Sequence, residues 1–112
     1  MDAVAKQMFI RRAATRAHPG GILWSQHAVA KLALEDLSRQ AVEEALREGE
    51  IIEDYPPAHR PLPDRLILAH LPAGEPLHAV LAVDEPNDRL FVVTVYRPDP
   101  RRWTDDRRTR RR

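Results

Sequence analysis

The chain has 112 residues, of which 43% are apolar and 31% charged, which is enough for one folded domain with a modest hydrophobic core. It contains no cysteine, and this excludes disulfide scaffolds, cysteine zinc sites, iron–sulfur clusters and thiol nucleophiles. No apolar run approaches the roughly 20 residues of a membrane span, and no secretory signal follows Met1, so we expect a cytoplasmic protein that does not contact membranes.

The net charge of +1 is distributed unevenly along the chain. Residues 1–100 hold 11 Lys and Arg against 15 Asp and Glu, whereas residues 101–112 hold seven Arg against two Asp. Arginine pairs bidentately with phosphate and keeps its charge, so this basic C-terminal tail indicates a phosphate-rich partner. A solvated terminal segment that keeps the protein soluble is the alternative interpretation.

The N-terminal extension, residues 1–20, has apolar and basic residues spaced as in a short amphipathic helix. Its basic residues fall towards the C-terminal end, where they suit the helix dipole. The glycines that follow Pro19 end this helix. Ile22-Leu23-Trp24 is predicted only as a brief apolar stretch before the next helix.

Two serines mark the starts of two further helices. Ser25 and Ser38 each precede an apolar pattern of helical period, so they are predicted to cap helices over residues 26–34 and 39–48. Gly49 then stands where a glycine commonly ends a helix.

From residue 50 the apolar period changes from 3.6 to 2, which predicts strands. Four strands are expected, over residues 50–55, 65–71, 77–83 and 90–96. Two or three helices followed by four strands with short loops predict an α+β domain over residues 21–100. We expect the helices to pack on one face of a four-stranded antiparallel sheet.

The register of the last two strands decides which side chains share a face. Pairing His78 with Tyr96, and Val80 with Thr94, separates apolar from polar groups and is therefore preferred. The face towards the helices is then wholly apolar and contains Leu77, Ala79, Leu81, Val83, Phe91, Val93 and Val95.

Two histidines are predicted on the other, mixed face. Pairing Leu71 with Leu77 across the intervening turn places His70 beside His78. The two imidazoles could act as an acid–base pair, bind a metal or pack as structural groups. The sequence has no H-E-x-x-H spacing and no carboxylate in register with them, so no metal site is predicted.

His27 and Lys31 lie four residues apart and so share one face of their helix. A histidine can donate or accept a proton near neutral pH, and a neighbouring lysine can stabilise a phosphate. The alternative is a solvated helix face without chemistry.

The end of the last strand, Thr94-Val95-Tyr96-Arg97, delivers a hydroxyl, a phenol and a guanidinium beside the basic tail. Cleavage of RNA by its own 2′-hydroxyl needs a base, a proton donor and cations around the phosphate, and it needs no cofactor. His, Tyr, Lys and Arg can supply these groups. The alternative is that Tyr96 and Arg97 only border the sheet.

Trp103 stands within the basic tail. An aromatic ring in such a run can stack on an RNA base while arginines hold the backbone, although it could equally anchor the tail to the domain. The residues predicted to bind RNA are Arg101, Arg102, Trp103, Arg107 and Arg108.

Four motifs in this order resemble a bacterial family known as domain of unknown function 4258, over about residues 22–103. The motifs are Ser25-Gln-His-Ala28, Glu48-Gly-Glu-Ile-Ile-Glu-Asp-Tyr-Pro56, Pro76-Leu-His-Ala79 and Thr94-Val-Tyr-Arg-Pro-Asp-Pro-Arg-Arg-Trp103. One departure is Ala79, where the family pattern has Val.

This resemblance implies a fold like that of the small RelE-type toxins and the toxin half of a type II toxin–antitoxin pair. The activity implied is that of an endoribonuclease acting on mRNA, either free or on the ribosome. The partner implied is a small zinc-finger antitoxin of the YgiT or MqsA type. Carried over by position, the catalytic candidates are His27, His78, Tyr96 and Arg97, with Lys31 in support. The rival interpretation is a non-catalytic protein-binding module, a degraded toxin or an adaptor, that uses the same sheet face.

Overall fold

The computed structural model describes residues 3–15, 22–55 and 62–112. The predicted α+β class is confirmed, because within these described ranges three helices pack against a five-stranded sheet with the strand order β1-β5-β4-β3-β2. In chain order the elements are α1 (Ala3–Thr15), β1 (Ile22–Trp24), α2 (Gln26–Leu34), α3 (Arg39–Leu46), β2 (Glu50–Tyr55), β3 (Asp64–His70), β4 (Pro76–Asp84) and β5 (Arg89–Tyr96).

The sheet has five strands and is mixed, so the prediction of four antiparallel strands was wrong. Residues Ile22–Trp24 form β1 and pair in parallel with Leu90–Val92 of β5. Three residues are too few to show the alternation that identifies a strand, and the partner strand lies far along the chain. All other neighbouring strands are antiparallel, as predicted.

Both predicted helix caps are present. The Ser25 hydroxyl accepts a hydrogen bond from the Ala28 N–H, and the Ser38 hydroxyl accepts one from the Ala41 N–H. Each bond satisfies a backbone donor that the first turn of a helix leaves without a partner within the helix.

The preferred register of β4 and β5 is confirmed at the end that matters for the site. His78 pairs with Tyr96 and Val80 pairs with Thr94. A shift follows, so that Leu81 pairs with Val92. The extra residue of this bulge changes the face of every residue before it in β5. Leu90 and Val92 are therefore buried in the core, where Phe91 and Val93 were predicted.

His70 does not lie beside His78. In the register of β3 and β4, Leu68 pairs with His78 and His70 pairs with Pro76. This is a two-residue difference from the predicted pairing, so the faces are kept but the neighbours change. His70 is exposed and borders a shallow cavity with Glu44 of α3.

The helices cover one face of the sheet and build the main core. α1 contributes to it although it lies in the predicted N-terminal extension. The fully or almost fully buried core residues on helices are Phe9, Ile10, Ala13, Ala14, Ala28, Val42, Ala45 and Leu46. Gln7 of α1 also reaches the outer strand β2, where its side chain accepts a hydrogen bond of 2.8 Å from the Ile51 N–H and donates one to the Gly49 carbonyl.

The basic tail folds into a small hairpin that packs on the opposite face of the sheet. An antiparallel bridge joins Trp103 to Arg110, and the Thr104 N–H donates to the Thr109 carbonyl over 2.8 Å. Arg107, at a φ of 63°, lies at the turn. We call residues 102–111 the C-terminal hairpin.

Gly49 lies in the connection between α3 and β2, and its close packing on Ile67 of β3 leaves no room for a side chain. A methyl group at this position would lie 2.6 Å from Ile67 Cγ2 and 3.3 Å from the Leu46 carbonyl oxygen. Ile67 is fully buried, so it has little room to yield.

We therefore expect Gly49→Ala to lower the free energy of unfolding by about 1–3 kcal/mol in denaturant titrations. The exposed neighbour Glu48 supplies the control: Glu48→Ala should change it by about 0.5 kcal/mol or less. Equal stability of both variants would contradict the packing argument.

Candidate functional site

Ser25 fixes the start of α2 against the bulge of β5. Its N–H donates to the Val92 carbonyl over 3.1 Å, and its hydroxyl donates to the Val93 carbonyl over 3.0 Å while it accepts from Ala28. The hydroxyl is thereby used as both donor and acceptor. Because His27 follows two residues later, this anchor holds its side chain over the end of β5.

His27 lies at the open rim of the site. Its side chain is exposed, and Nε2 lies 3.2 Å from the Thr94 hydroxyl oxygen. Lys31, one helical turn further along α2, lies on the same helix face, with its Nζ 3.7 Å from a carboxylate oxygen of Glu35. An imidazole and an ammonium group thus lie along one side of α2.

Thr94 and Tyr96 connect this rim to the predicted second histidine. They are two residues apart on β5, so their side chains lie on the same face of the sheet. The Tyr96 hydroxyl lies 3.2 Å from Nδ1 of His78, and the two rings meet edge to face with centroids 5.3 Å apart. His27, Thr94, Tyr96 and His78 therefore follow one another across this face.

His78 is fully buried beneath the C-terminal hairpin. Its Nε2 lies 2.8 Å from the Arg107 carbonyl oxygen, and its ring lies 4.4 Å from the Trp103 ring, centroid to centroid. A carbonyl can only accept, so we assign the proton to Nε2, and Nδ1 then accepts from the Tyr96 hydroxyl. Both ring nitrogens of the neutral imidazole are satisfied.

Burial controls the protonation of this pair. Burial lowers the pKa of His78 below its ordinary value of 6.5, and the hydrogen bond to the Arg107 carbonyl opposes this only in part. Burial also raises the pKa of Tyr96. Near neutral pH the pair is therefore a neutral imidazole and a protonated phenol.

Three further residues, which the sequence analysis did not predict, lie close to His78 and Tyr96. Glu53 and Tyr55 reach the face from β2, and Arg110 reaches it from the C-terminal hairpin. The Arg110 guanidinium pairs bidentately with Glu53 over 2.9 and 3.0 Å, and the Tyr55 hydroxyl donates to the same carboxylate. Hydrogen bonding to Arg110, more than any other contact, lowers the pKa of Glu53. The alternation of Glu53 and Tyr55 in the sequence was the available signal, but the bulge in β2 hid the register.

The arginines predicted to bind RNA are largely engaged within the protein. Arg101 pairs with Asp99, Arg107 donates to the carbonyl of Thr104, and Arg108 pairs with Glu50 over 2.7 Å.

The remaining predicted RNA contacts differ in exposure. Trp103 is only 3% exposed, so it anchors the hairpin, which was one of the two roles that the sequence left open for it. Arg102 is exposed.

Arg97 clamps the end of α2 to the end of β5. Its Nε donates to the Glu35 carbonyl over 3.0 Å and its Nη2 to the Asp36 carbonyl over 3.2 Å. Its Nη1 also pairs with Glu75 over 2.5 Å. Carbonyls at the C-terminus of a helix lack partners within the helix, so these bonds stabilise the junction.

The model of a family described as a domain of unknown function (DUF4258) matches residues 24–97. The chain belongs to the DUF4258 family. The match includes β1 only from Trp24 onwards and excludes both α1 and the C-terminal hairpin. No curated protein and no solved structure matches the chain.

Two features are absent from the part of the chain that the structure describes. Among residues 3–15, 22–55 and 62–112, no three His, Asp or Glu side chains cluster so that they could hold a metal ion. In the same part of this DUF4258 chain, no helix is long and apolar enough to cross a bilayer.

The buried His78 predicts a particular dependence of stability on pH. Its pKa is lower in the folded chain than in the unfolded chain, so the unfolded chain binds more protons in the window between the two values. The free energy of unfolding should therefore fall as the pH decreases below about 6.5, and His78 should have no effect on it well above that value. Denaturant titrations over a pH series measure this slope.

The matched variants are His78→Gln, which should lose the slope in this window, and His70→Ala, which should keep it because His70 is exposed. An NMR titration of the wild-type imidazoles gives a second measurement if His78→Gln does not fold. A His78 titration midpoint at or above 6.5 would contradict the burial argument.

The clamp predicts that Arg97 matters for stability irrespective of any substrate. Arg97→Ala leaves two carbonyls without their donor, and we expect it to lower the free energy of unfolding by about 1 kcal/mol. Arg97→Lys keeps the charge but lacks the planar fork of donors, so it should recover only part of this loss. Thermal unfolding of the three proteins without ligand is the measurement, and three identical midpoints would contradict the clamp.

Proposed function

We propose that this DUF4258 protein cleaves RNA without a metal ion, with His27 as the proton acceptor at the rim of the site. The observation that carries the proposal is the exposed imidazole held 3.2 Å from Thr94, with Lys31 one turn away on the same helix. A base and a cation on one accessible surface are what attack by the 2′-hydroxyl requires.

The proposed reaction is an internal transfer at one phosphodiester. His27 takes the proton from the 2′-hydroxyl, the 2′ oxygen bonds to phosphorus, and the bond from phosphorus to the 5′ oxygen breaks. That oxygen leaves with a proton from water, so the products are a 2′,3′-cyclic phosphate and a 5′-hydroxyl. Lys31 stabilises the charge that develops on the phosphate. The protonated Tyr96 phenol donates to that phosphate only by giving up its hydrogen bond to Nδ1 of His78 when the substrate binds.

We extend this proposal to a type II toxin–antitoxin pair by analogy. Helices on one sheet face, with histidine, threonine and tyrosine on the other, are what the resemblance to RelE-like toxins leads us to expect, and this arrangement supports the extension. On this proposal the substrate is mRNA, free or on the ribosome, and the protein partner is a small zinc-finger antitoxin.

A second candidate function, a non-catalytic protein-binding module, is favoured by one observation. His78 is fully buried, and Arg108 and Arg110 are paired with carboxylates of β2. With His78 buried and these arginines paired, the protein would bind a partner through its exposed surface, and His78 would take no part. Induction of the protein alone in cells distinguishes the two candidates, because only an active endoribonuclease is expected to arrest growth and degrade RNA.

The role proposed for His27 as the base predicts what happens when its imidazole is removed. His27→Ala should lower the rate of cleavage of single-stranded RNA by about 100-fold or more, because general acid–base groups contribute at least this much. The measurement is the rate of product formation on a labelled oligonucleotide, with ribosome-bound mRNA as the second substrate. A chelator should leave the rate unchanged.

Two controls sharpen this test. His70→Ala removes an exposed histidine outside the site and should keep the wild-type rate. A substrate with a 2′-deoxy residue at the cleaved position should resist cleavage, because it lacks the nucleophile. If neither RNA substrate is cleaved by the wild-type protein, or if His27→Ala cleaves at the wild-type rate, the proposal fails.

A further inference from the structure

The C-terminal hairpin separates the two halves of the site. His27 is exposed at the rim, whereas His78 is covered by the Trp103 ring and hydrogen-bonded to the Arg107 carbonyl. Tyr96, between them, is partly buried. Access to the second histidine therefore requires that this hairpin moves away from the sheet.

Two ion pairs, one of them with the largely buried Glu53, hold the outer part of the hairpin on β2. Arg108 pairs with Glu50 over 2.7 and 3.2 Å, and Arg110 pairs with Glu53 over 2.9 and 3.0 Å. Both arginine side chains are about half exposed, at 45% and 62%. The more exposed Arg108–Glu50 pair is of the kind that is individually weak and screened by salt. The Arg110–Glu53 pair is further supported by the Tyr55 hydroxyl and by the Trp103 ring, whose centroid lies 4.7 Å from the Arg110 guanidinium. A polyanion competes for the same guanidinium groups because phosphate accepts the same bidentate bonds.

The hairpin is held together by hydrogen bonds of its own. The Thr104 N–H donates to the Thr109 carbonyl over 2.8 Å, and the Arg111 N–H donates to the Arg102 carbonyl over 2.7 Å. These bonds stay within the hairpin and are independent of the sheet. The segment also joins β5 through a short connection that contains Pro98 and Pro100.

We propose that the C-terminal hairpin is a releasable strap that closes the sheet face over His78 and Tyr96. The hairpin is held closed by the buried Trp103 ring, by the Arg107 carbonyl and by the ion pairs of Glu50 and Glu53. Phosphate groups of RNA favour its release by competing for the paired arginines. The consequence for activity rests on the proposed function, because release would join His78 to the rim site. The closure itself does not rest on that function.

Chemical labelling of the histidines by diethyl pyrocarbonate measures the closure directly, because this reagent acylates accessible neutral imidazoles. His70 and His78 fall in one tryptic peptide, residues 66–89, so the exposed His70 is an internal reference for the covered His78. In the wild-type protein at low salt we expect His78 to react at least about tenfold more slowly than His70. In about 1 M sodium chloride, where charges are screened within about 3 Å, the His78 rate should rise towards that of His70.

The sheet-side variant Glu50→Gln/Glu53→Gln removes both negative charges and the bidentate carboxylates, and it keeps every arginine. It should raise the rate of His78 labelling about tenfold and leave His70 unchanged. The matched control is Glu85→Gln/Asp105→Asn, which removes the same charge: Glu85 lies in the turn between β4 and β5, and Asp105 pairs with Arg111 inside the hairpin. This control should label as the wild-type protein does.

A charge swap tests whether the contact itself is responsible. Glu50→Arg alone should raise His78 labelling, and Glu50→Arg combined with Arg108→Glu should restore protection. Global unfolding of a variant would be recognised by loss of its circular dichroism spectrum, and the salt dependence of the wild-type protein then remains as the test. Wild-type His78 that reacts as fast as His70, or that stays protected in the folded sheet-side variant and in high salt, would overturn the strap.

Cleavage of RNA by the same proteins separates this inference from the proposed function. Faster labelling of His78 in Glu50→Gln/Glu53→Gln together with faster RNA cleavage supports both. Faster labelling without any cleavage supports the strap and overturns the endoribonuclease. Cleavage at equal rates with His78 protected in every protein overturns the strap and leaves the endoribonuclease standing.

Discussion

The His78 ring makes one hydrogen bond within the sheet and a second one that joins the sheet to the C-terminal hairpin. A buried imidazole needs a partner at each nitrogen, and here one is the Tyr96 hydroxyl across the strand pair and the other is the Arg107 carbonyl. The Trp103 ring then packs on the edge of the same imidazole. The β4–β5 register and the position of the hairpin are therefore mutually dependent, since a slip in either would leave a buried nitrogen without a partner.

The basic tail and the acidic body of the sequence partly neutralise each other through ion pairs within the fold. Arg108 and Arg110 from the basic tail meet Glu50 and Glu53 from the acidic body, and each contact is bidentate. The charge pattern that suggested a phosphate-rich partner thus also has an internal counterpart. These two interpretations are compatible, because carboxylate and phosphate are alternative acceptors for the same guanidinium geometry.

The parts of the structure with strong local signals could be predicted from the sequence. The serine caps, the change from helical to strand period at residue 50 and the His78–Tyr96 pairing all follow from nearby residues. The strand β1 could not be found, because three residues carry no period and their pairing with β5 is long-range. The bulge at Val93, just before Thr94 in β5, was equally hidden, since alternation cannot reveal one inserted residue.

In the candidate site, too, local features could be predicted from the sequence and long-range contacts could not. His27 was placed on α2 by its helical pattern, and its proximity to Thr94 depends on a hydrogen bond between Ser25 and Val93, 68 residues apart. Burial of His78 could not be predicted from its own strand, because the covering residues come from the tail. Glu53 and Arg110 are 57 residues apart, and periodicity gives no information about such a pair.

Gln7 has a consequence for how the molecule behaves among its own copies. The outermost strand of a sheet presents unpaired amide and carbonyl groups, which invite another chain to add a strand there. The side-chain amide of Gln7 engages the Ile51 N–H and the Gly49 carbonyl as a neighbouring backbone would, and Lys6 pairs with Asp54 on the same strand. α1 therefore protects this edge of the sheet from pairing with another chain. It lies outside residues 24–97, the part of the chain that matches the family.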